Sequence, residues 1–389
     1  MTDVRPRALT VSLFLSFLAL GLAVAVLGPS LPYLAQATGT ALRLASFVFI
    51  AHRIGYILGS YLGGALYDRL SGSRLMAFSL LLLAGALLLV PLQRLFALLL
   101  PVVFVLGLAE GTVDVGGNAL LLWMKPQRLP VVMNALHLFF GLGAFLGPLA
   151  LALAVRWSGG ILWGYRILAV LVVPPAIWLF RLSAPSLPQE EAEGGKRSGF
   201  GVLAVLIVAL FFLIVAAEAG YGDWIYTYAL TQGLAGPVRS GYMTSVYWGA
   251  FTVGRLLATA ASARIKPKAL LLGSLAGAVA SVSLLLLWPD SAALGWAVSV
   301  CFGLSMAALF PSALTLAGES MTVTGRVAGL FLVGGNLGGM AVPWLIGQFF
   351  ESAGTWVAPA AILIASAGGL LVLVAVLFAV RPRRAAAAG

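Results

Sequence analysis

The sequence predicts an all-α membrane protein with twelve transmembrane helices in two six-helix pseudo-repeats, and three observations carry that reading. Hydrophobic residues make up 61% of the chain and charged residues 9%, with a mean hydropathy of +1.06, too little polar surface for a soluble globule. Apolar segments long enough to cross a hydrocarbon core of roughly 30 Å follow one another along the whole chain. A shift of 195 residues superposes Gly59 on Gly254, Arg69 on Arg264, Gly143 on Gly338 and Pro148 on Pro343, as parallel repeats of six helices would.

The first span runs from 8 to 34 behind Arg5 and Arg7. It is too long for the apolar stretch of a signal peptide and more spans follow, so it reads as an uncleaved helix. Further spans at 41–66, 75–92, 95–123, 130–155 and 160–182 complete an N-terminal bundle over 1–182. A polar linker at 183–199, with Glu190, Glu191, Glu193, Lys196 and Arg197, separates it from the rest. Spans at 200–230, 240–262, 269–288, 291–316, 327–350 and 355–380 then form a C-terminal bundle over 200–389.

The net charge of +11 comes from basic residues scattered between apolar runs rather than gathered in a patch, which excludes a nucleic-acid partner and leaves the lipid bilayer. With both termini in the cytoplasm, sixteen Lys and Arg fall on that side, among them Arg69, Arg74, Lys125, Arg128 and Arg326. Only Arg43, Arg94, Arg156 and Arg239 fall outside. The positive-inside rule therefore predicts a multi-pass protein of the cell membrane, such as a bacterial inner membrane, with cytoplasmic termini. The single Cys301 excludes an intrachain disulfide and reads as a small core residue. No nucleophile, base and orienting-acid set and no G-x-x-x-x-G-K-[ST] loop occurs, so neither an enzyme nor a bound cofactor is expected.

Chemistry concentrates in the stretch from Gly107 to Pro148, two apolar helices joined by a turn of Lys125, Pro126, Gln127 and Arg128. Glu110, Asp114 and Asn118 recur every four residues along one face of the first helix, and Asn134 and His137 share a face of the second. If the turn centres near Pro126, Asn118 stands level with Asn134 and Asp114 with His137, roughly 12 to 18 Å into the membrane. A carboxylate at that depth costs roughly 2.5 to 3.5 kcal/mol on insertion scales, so it should face a polar cavity or a partner. The repeat shift puts Gly329 and Leu332 at the places of Asn134 and His137. With one extra residue it puts Phe310 and Leu314 at those of Asp114 and Asn118. Packing alone does not require these polar residues, and function is the better reason for them.

Three further features complete the reading. Arg53 and Glu110 reach similar depths and suit an intramembrane ion pair. Glu218, Tyr221 and Trp224 in the seventh span, Trp248 in the eighth and Asn336 in the eleventh suit a pocket of aromatic faces and few polar groups. Core packing is the bland alternative for each aromatic. Between the second and third spans, Asp68, Arg69 and Arg74 form a charged loop in which the Asp suits a helix N-terminus of the other half, near Arg326.

That loop, Gly64-Ala-Leu-Tyr-Asp68-Arg69-Leu-Ser-Gly72-Ser-Arg74, resembles the G-x-L-x-D-R-x-x-G-R-K signature of the major facilitator superfamily. Its degenerate copy stands at 254–268, with Ala263 in place of the Asp. The stretches 114–123, 133–148, 218–228 and 247–255 are similar to the sodium-dependent glucose transporters and fucose:proton symporters of that superfamily. The resemblance implies a secondary active transporter of a sugar-like solute that works as a monomer by alternating access. It makes Asp114 the coupling acid, for a proton or a sodium ion, and Asn118 and Asn134 solute ligands, with His137 beside them a further candidate ligand. His137 stands where the symporters carry Gln, and no acid occurs between Leu13 and Ser30. A second acid would then be Glu110 or Glu218. Export or flipping of an amphipathic drug or lipid-like compound is the alternative function on the same scaffold.

Overall fold

A computed structural model describes residues 6–124, 129–183, 201–323 and 325–386. The expected turn from Lys125 to Arg128 and all of the expected linker except Ser183 lie outside the described residues, as do Arg5 and the side chain of Arg326. The first half contributes α1 (Pro6–Val24), α2 (Leu27–Thr38), α3 (Leu42–Ala45), α4 (Phe47–Tyr67), α5 (Gly72–Leu89), α6 (Phe96–Trp123), α7 (Leu129–Ser158) and α8 (Leu162–Phe180). The second half contributes α9 (Val202–Thr231), α10 (Pro237–Ser262), α11 (Pro267–Leu287), α12 (Ala292–Ala307), α13 (Leu309–Ser320), α14 (Gly325–Ala353) and α15 (Val357–Ala386).

Among the described residues, eleven segments are long and apolar enough to cross a membrane. The remaining expected span, α10, has the length, at 26 residues, but Arg239, Ser240, Thr244, Ser245 and Arg255 dilute its apolar character. Three expected continuous helices are interrupted, the one over 41–66 at Ser46 and two others close before a proline. The first breaks at Ala25 and Val26 ahead of Pro29, and the tenth at Ala308 ahead of Pro311. Proline has no N–H for the carbonyl four residues earlier, so the hydrogen-bond ladder fails at that point. Gly39 ends α2 at φ 64°, a left-handed conformation that glycine adopts without strain.

The chain divides into two compact units, one of Met1–Ala192 with Ile225–Leu230 and Ala235–Gly249, the other of Glu193–Trp224, Thr231–Leu234 and Ala250–Gly389. Within the first, α4 packs on α6, α1 on α7 and α5 on α8. Within the second, α11 packs on α12, α13 and α15. Cys301, expected in the core, is exposed on α12, where an apolar thiol suits a lipid-facing position.

The tightest packing joins α4 to α6 through glycines. A methyl group on Gly55 would overlap the carbonyl of Phe104, on Gly59 that of Leu108, and on Gly63 it would crowd Thr112, each 49 residues on. In return Gly107 lies against the carbonyl of His52 and Gly111 against that of Tyr56, each 55 residues back. Constant offsets mean that the two helices run parallel. Small residues at four-residue spacing let backbones approach where lipid supplies no hydrophobic drive between helices. The repeat reappears in the second unit, where Gly254 lies against Leu304 and Ala307 as Gly59 does against Leu108. Gly338 likewise meets the carbonyl of Phe212 as Gly143 meets that of Leu18.

Gly59→Ala is expected to lower the thermal unfolding midpoint in detergent, because its methyl must push α4 off α6. Gly85→Ala in α5, where nothing stands within 4 Å of the new methyl, is expected to leave the midpoint unchanged or raise it, since alanine favours helix by about 1 kcal/mol.

A candidate coupling and recognition site between α4 and α6

The close approach of α4 and α6 sets two acidic residues against partners at the same offset. His52 Nε2 and Glu110 Oε2 lie 2.6 Å apart in a hydrogen bond, and one turn further on Tyr56 O–H donates to Asp114 Oδ2 at 2.5 Å. Both pairs are 58 residues apart in sequence, so they form two rungs of one ladder across the parallel helices. Both rungs sit near the middle of spans Leu42–Tyr67 and Phe96–Trp123. Bonds this short to a carboxylate mark charge-assisted contacts.

The two acids are held differently. Asp114 is half-buried, and its second oxygen accepts from Asn118 Nδ2 at 3.1 Å while the same amide donates to the Asp114 carbonyl at 2.9 Å. Glu110 is wholly buried and its Oε1 has no hydrogen-bond partner among the described residues. A bare carboxylate oxygen without water is costly. The expected pairing of Glu110 with Arg53 is corrected here, since the partner is His52. One residue along a helix is a rotation of about 100°, which carries Arg53 away from the face that meets α6.

The expected contact between the two arms of the 107–148 stretch is also revised. α6 lies mainly on α4 and α5, and α7 mainly on α1. Phe17 of α1 stands between the arms: its ring packs against Gly117 of α6 and edge-on to His137 of α7, with centroids 5.7 Å apart. Asn134 is exposed and His137 half-buried. Asn118 spends its amide on Asp114, which leaves its carbonyl oxygen to accept from another group.

Of the residues expected in the second half, Tyr221, Trp224 and Trp248 are buried. Tyr221, 1% exposed, shares a hydrogen bond with Ser299 at 2.9 Å and stacks on Phe302. Trp224, 0% exposed, donates to the Pro343 carbonyl at 2.9 Å and packs on Phe350. Both positions are compatible with the core alternative. Trp248 is buried beside Tyr247, Glu218 is half-buried on α9, and the Asn336 amide donates to Leu332 of its own helix at 3.0 Å. Asp68 follows the last residue of α4 and is exposed, as are Arg69 and Arg74. Ser73, in the same loop motif, is buried and donates to the Leu182 carbonyl at 2.6 Å.

His52 and Tyr56 escaped the sequence reading. Their signal was the run Gly55, Gly59, Gly63 opposite Gly107, Gly111, which fixes the register that makes them partners of the acids. At the equivalent places the second half carries Tyr247, Phe251, Met306 and Phe310, and the Phe310 ring packs edge-on to Phe211. The duplicated helix pair has no duplicated rungs.

Helices of this length and order, with ionisable side chains at mid-span, define a multi-pass membrane transporter. The chain belongs to the Major Facilitator Superfamily, whose family profile matches residues 13–343, and as such it is a secondary transporter and not an enzyme. It is 30% identical to the sodium-dependent glucose transporter 1A of Mus musculus over 373 residues, 86% of this chain and 88% of that protein. It is 31% identical to the sodium-dependent glucose transporter 1 of Rattus norvegicus over 377 residues, 87% of this chain and 78% of that protein. The fold matches the crystal structure of a D-xylose-proton symporter at a TM-score of 0.74 and 14% identity, over 93% of this chain and 96% of that one. It matches the crystal structure of a mutant of the nucleoside transporter NupG at 0.74 and 16% identity, over 95% of this chain and 99% of that one.

Tyr56→Phe removes one hydrogen bond to a carboxylate and is expected to destabilise the protein by about 1.5 to 3 kcal/mol. Tyr61→Phe, at a side chain 76% exposed, is expected to change nothing. Chemical denaturation in detergent compares the two.

Proposed function

We propose that this protein moves a sugar-like solute across the cell membrane by alternating access, driven by a cation gradient, with both termini in the cytoplasm. The observation that carries the proposal is the pair of acidic rungs at mid-span, in the half of the molecule whose repeat partner has none. A membrane protein keeps ionisable groups at that depth for transport far more readily than for packing. The relatives named as sodium-dependent glucose transporters support the solute class, and the excess of Lys and Arg on one side supports the orientation.

The Asp114 rung is the recognition side of the site. Tyr56 and Asn118 fix the carboxylate, and Asn134, exposed on α7, adds an amide with free rotation toward solute hydroxyls. Purified protein in proteoliposomes, tested with labelled sugars while pH and sodium are varied independently, is expected to accumulate a sugar under at least one gradient. Accumulation of amphiphiles and of no sugar would overturn the solute class. Asn134→Ala is expected to weaken solute binding with no shift in unfolding midpoint, whereas Asn118→Ala, which also unties Asp114, is expected to lower both.

The charged loop after α4 belongs to the gating machinery in this proposal. Its carboxylate at Asp68 stands beside two exposed arginines, where it is available to a helix N-terminus as the transporter changes state. Asp68→Asn is expected to slow uptake while solute affinity at equilibrium is retained. An unchanged uptake rate would assign the loop to topology alone.

A further inference from the structure

We propose that the hairpin of α7 and α8 carries a binding site for the phosphate of an anionic phospholipid, held by Arg166 and Arg156 at the membrane interface. The proposal does not depend on the transport reading. Arg166 lies in the first turns of the spanning helix α8. It belongs to an exposed stripe with Trp163, Ile167 and Val170, whose three- and four-residue spacing marks one face, turned to lipid. Arg156 is exposed in the last turn of α7. Neither side chain forms an ion pair with a described residue. α8 and the helices that pack against it, α1, α5 and α7, contain no Asp or Glu. The counter-charge for two arginines at this end of the hairpin must therefore come from outside the protein, and at a lipid-facing surface the anion at hand is a lipid phosphate.

The local geometry suits that anion. Gly159 turns the chain at φ 74° and Gly164 lies against Leu151 and Ala154, so α7 and α8 run antiparallel from the turn. Arg156 then stands level with the first turn of α8, and Arg166 starts roughly 6 Å deeper. The Arg166 guanidinium stands 4.8 Å from the centroid of the Trp163 ring, one turn nearer the start of α8. Its side chain thus rises toward the headgroups, as long basic side chains in a bilayer do. The ring covers one face of the guanidinium and leaves its edge of N–H donors open, the arrangement that takes a phosphate through two hydrogen bonds.

The start of α8 adds to the same field. It has no side-chain cap, so its first N–H groups and the positive end of its dipole face the turn. The Ser158 hydroxyl at the turn donates to the Ala154 and Gly160 carbonyls and does not compete for the site. Trp157, 74% exposed, supplies a second ring of the kind that settles at headgroup level. With no carboxylate nearby to hold a choline or an ethanolamine, a lipid of net negative charge is favoured over a zwitterionic one.

The test titrates phosphatidylglycerol and phosphatidylcholine against the full chain in detergent and counts bound lipid by native mass spectrometry. One site is expected to fill with phosphatidylglycerol well before phosphatidylcholine. Arg166→Gln is expected to weaken it about tenfold, as the loss of hydrogen bonds to a charged group would, and Trp163→Leu to weaken it by less. Arg94→Gln, at another exposed arginine, ahead of α6, is expected to leave it unchanged. If Arg166→Gln does not fold, Arg156→Gln reads the same site with a loss of similar order. Equal affinity for the two lipids, or a loss in Arg94→Gln as large as in the hairpin variants, overturns the proposal in favour of plain interfacial anchoring. Full affinity for phosphatidylglycerol in both Arg166→Gln and Arg156→Gln overturns the residue assignment. Excess inorganic phosphate is expected to leave the lipid bound, and displacement by it would make this a site for free phosphate instead.

Discussion

The glycine contact between α4 and α6 is the constraint on which the rest of the first unit depends. Lipid tails are as apolar as leucine, so helices in a bilayer gain little by burying aliphatic surface against each other. What they gain is packing and polar contact, and both require close backbones. Gly55, Gly59 and Gly63 on one helix and Gly107 and Gly111 on the other bring carbonyls to the opposing chain with no side chain between. Only at that separation do His52 and Tyr56 meet Glu110 and Asp114 at 2.6 and 2.5 Å. A slip of one residue would rotate both acids off their partners and put glycines under side chains, so packing and electrostatics fix the same register.

The second unit repeats the scaffold without repeating the chemistry. Gly254 and Gly338 reproduce the close contacts of Gly59 and Gly143, whereas the places of the acids are taken by Met306 and Phe310. Aromatic clusters replace the rungs. Phe211 packs with Phe310 and Phe331, Tyr221 with Phe302, and Trp224 with Phe350. Such rings gain about 0.5 to 1.5 kcal/mol per pair beyond their buried area and resist deformation. Two halves of common design thus differ at these places, the second packing rings where the first pairs acids.

The spans, the repeat and the depth of the acids were legible in the sequence, because hydropathy and charge depend on chain position alone. Partnership between helices was not, since it depends on rotation and on which helix intervenes. Asn118 and Asn134 lie at equal distances from the turn, yet α1 enters between their helices and Phe17 fills the gap. Arg53 was the obvious cation for Glu110, and its neighbour His52 holds the place because it lies on the glycine face. The breaks at Ala25 and Ala308 were marked by Pro29 and Pro311, but a proline within an apolar run also fits an unbroken kinked helix, as Pro148 in α7 shows. Tyr221 and Trp224 carried a sound signal for either a pocket or a core, and the structure buries both with their polar ends bonded to Ser299 and Pro343.

One helical turn separates two carboxylates with opposite needs. Asp114 has a donor on each oxygen, so its charge is matched and its orientation fixed, which suits a group that must present constant geometry to a solute. Glu110 has one partner, His52, and one bare oxygen, so its carboxylate is only half satisfied. The partners of the two acids, His52 and Tyr56, are themselves one turn apart on α4, and the same glycines hold both rungs. Displacing the helices enough to separate one pair must therefore strain the other. That shared backbone couples the two rungs mechanically, so a shift of α4 against α6 cannot disturb one without the other.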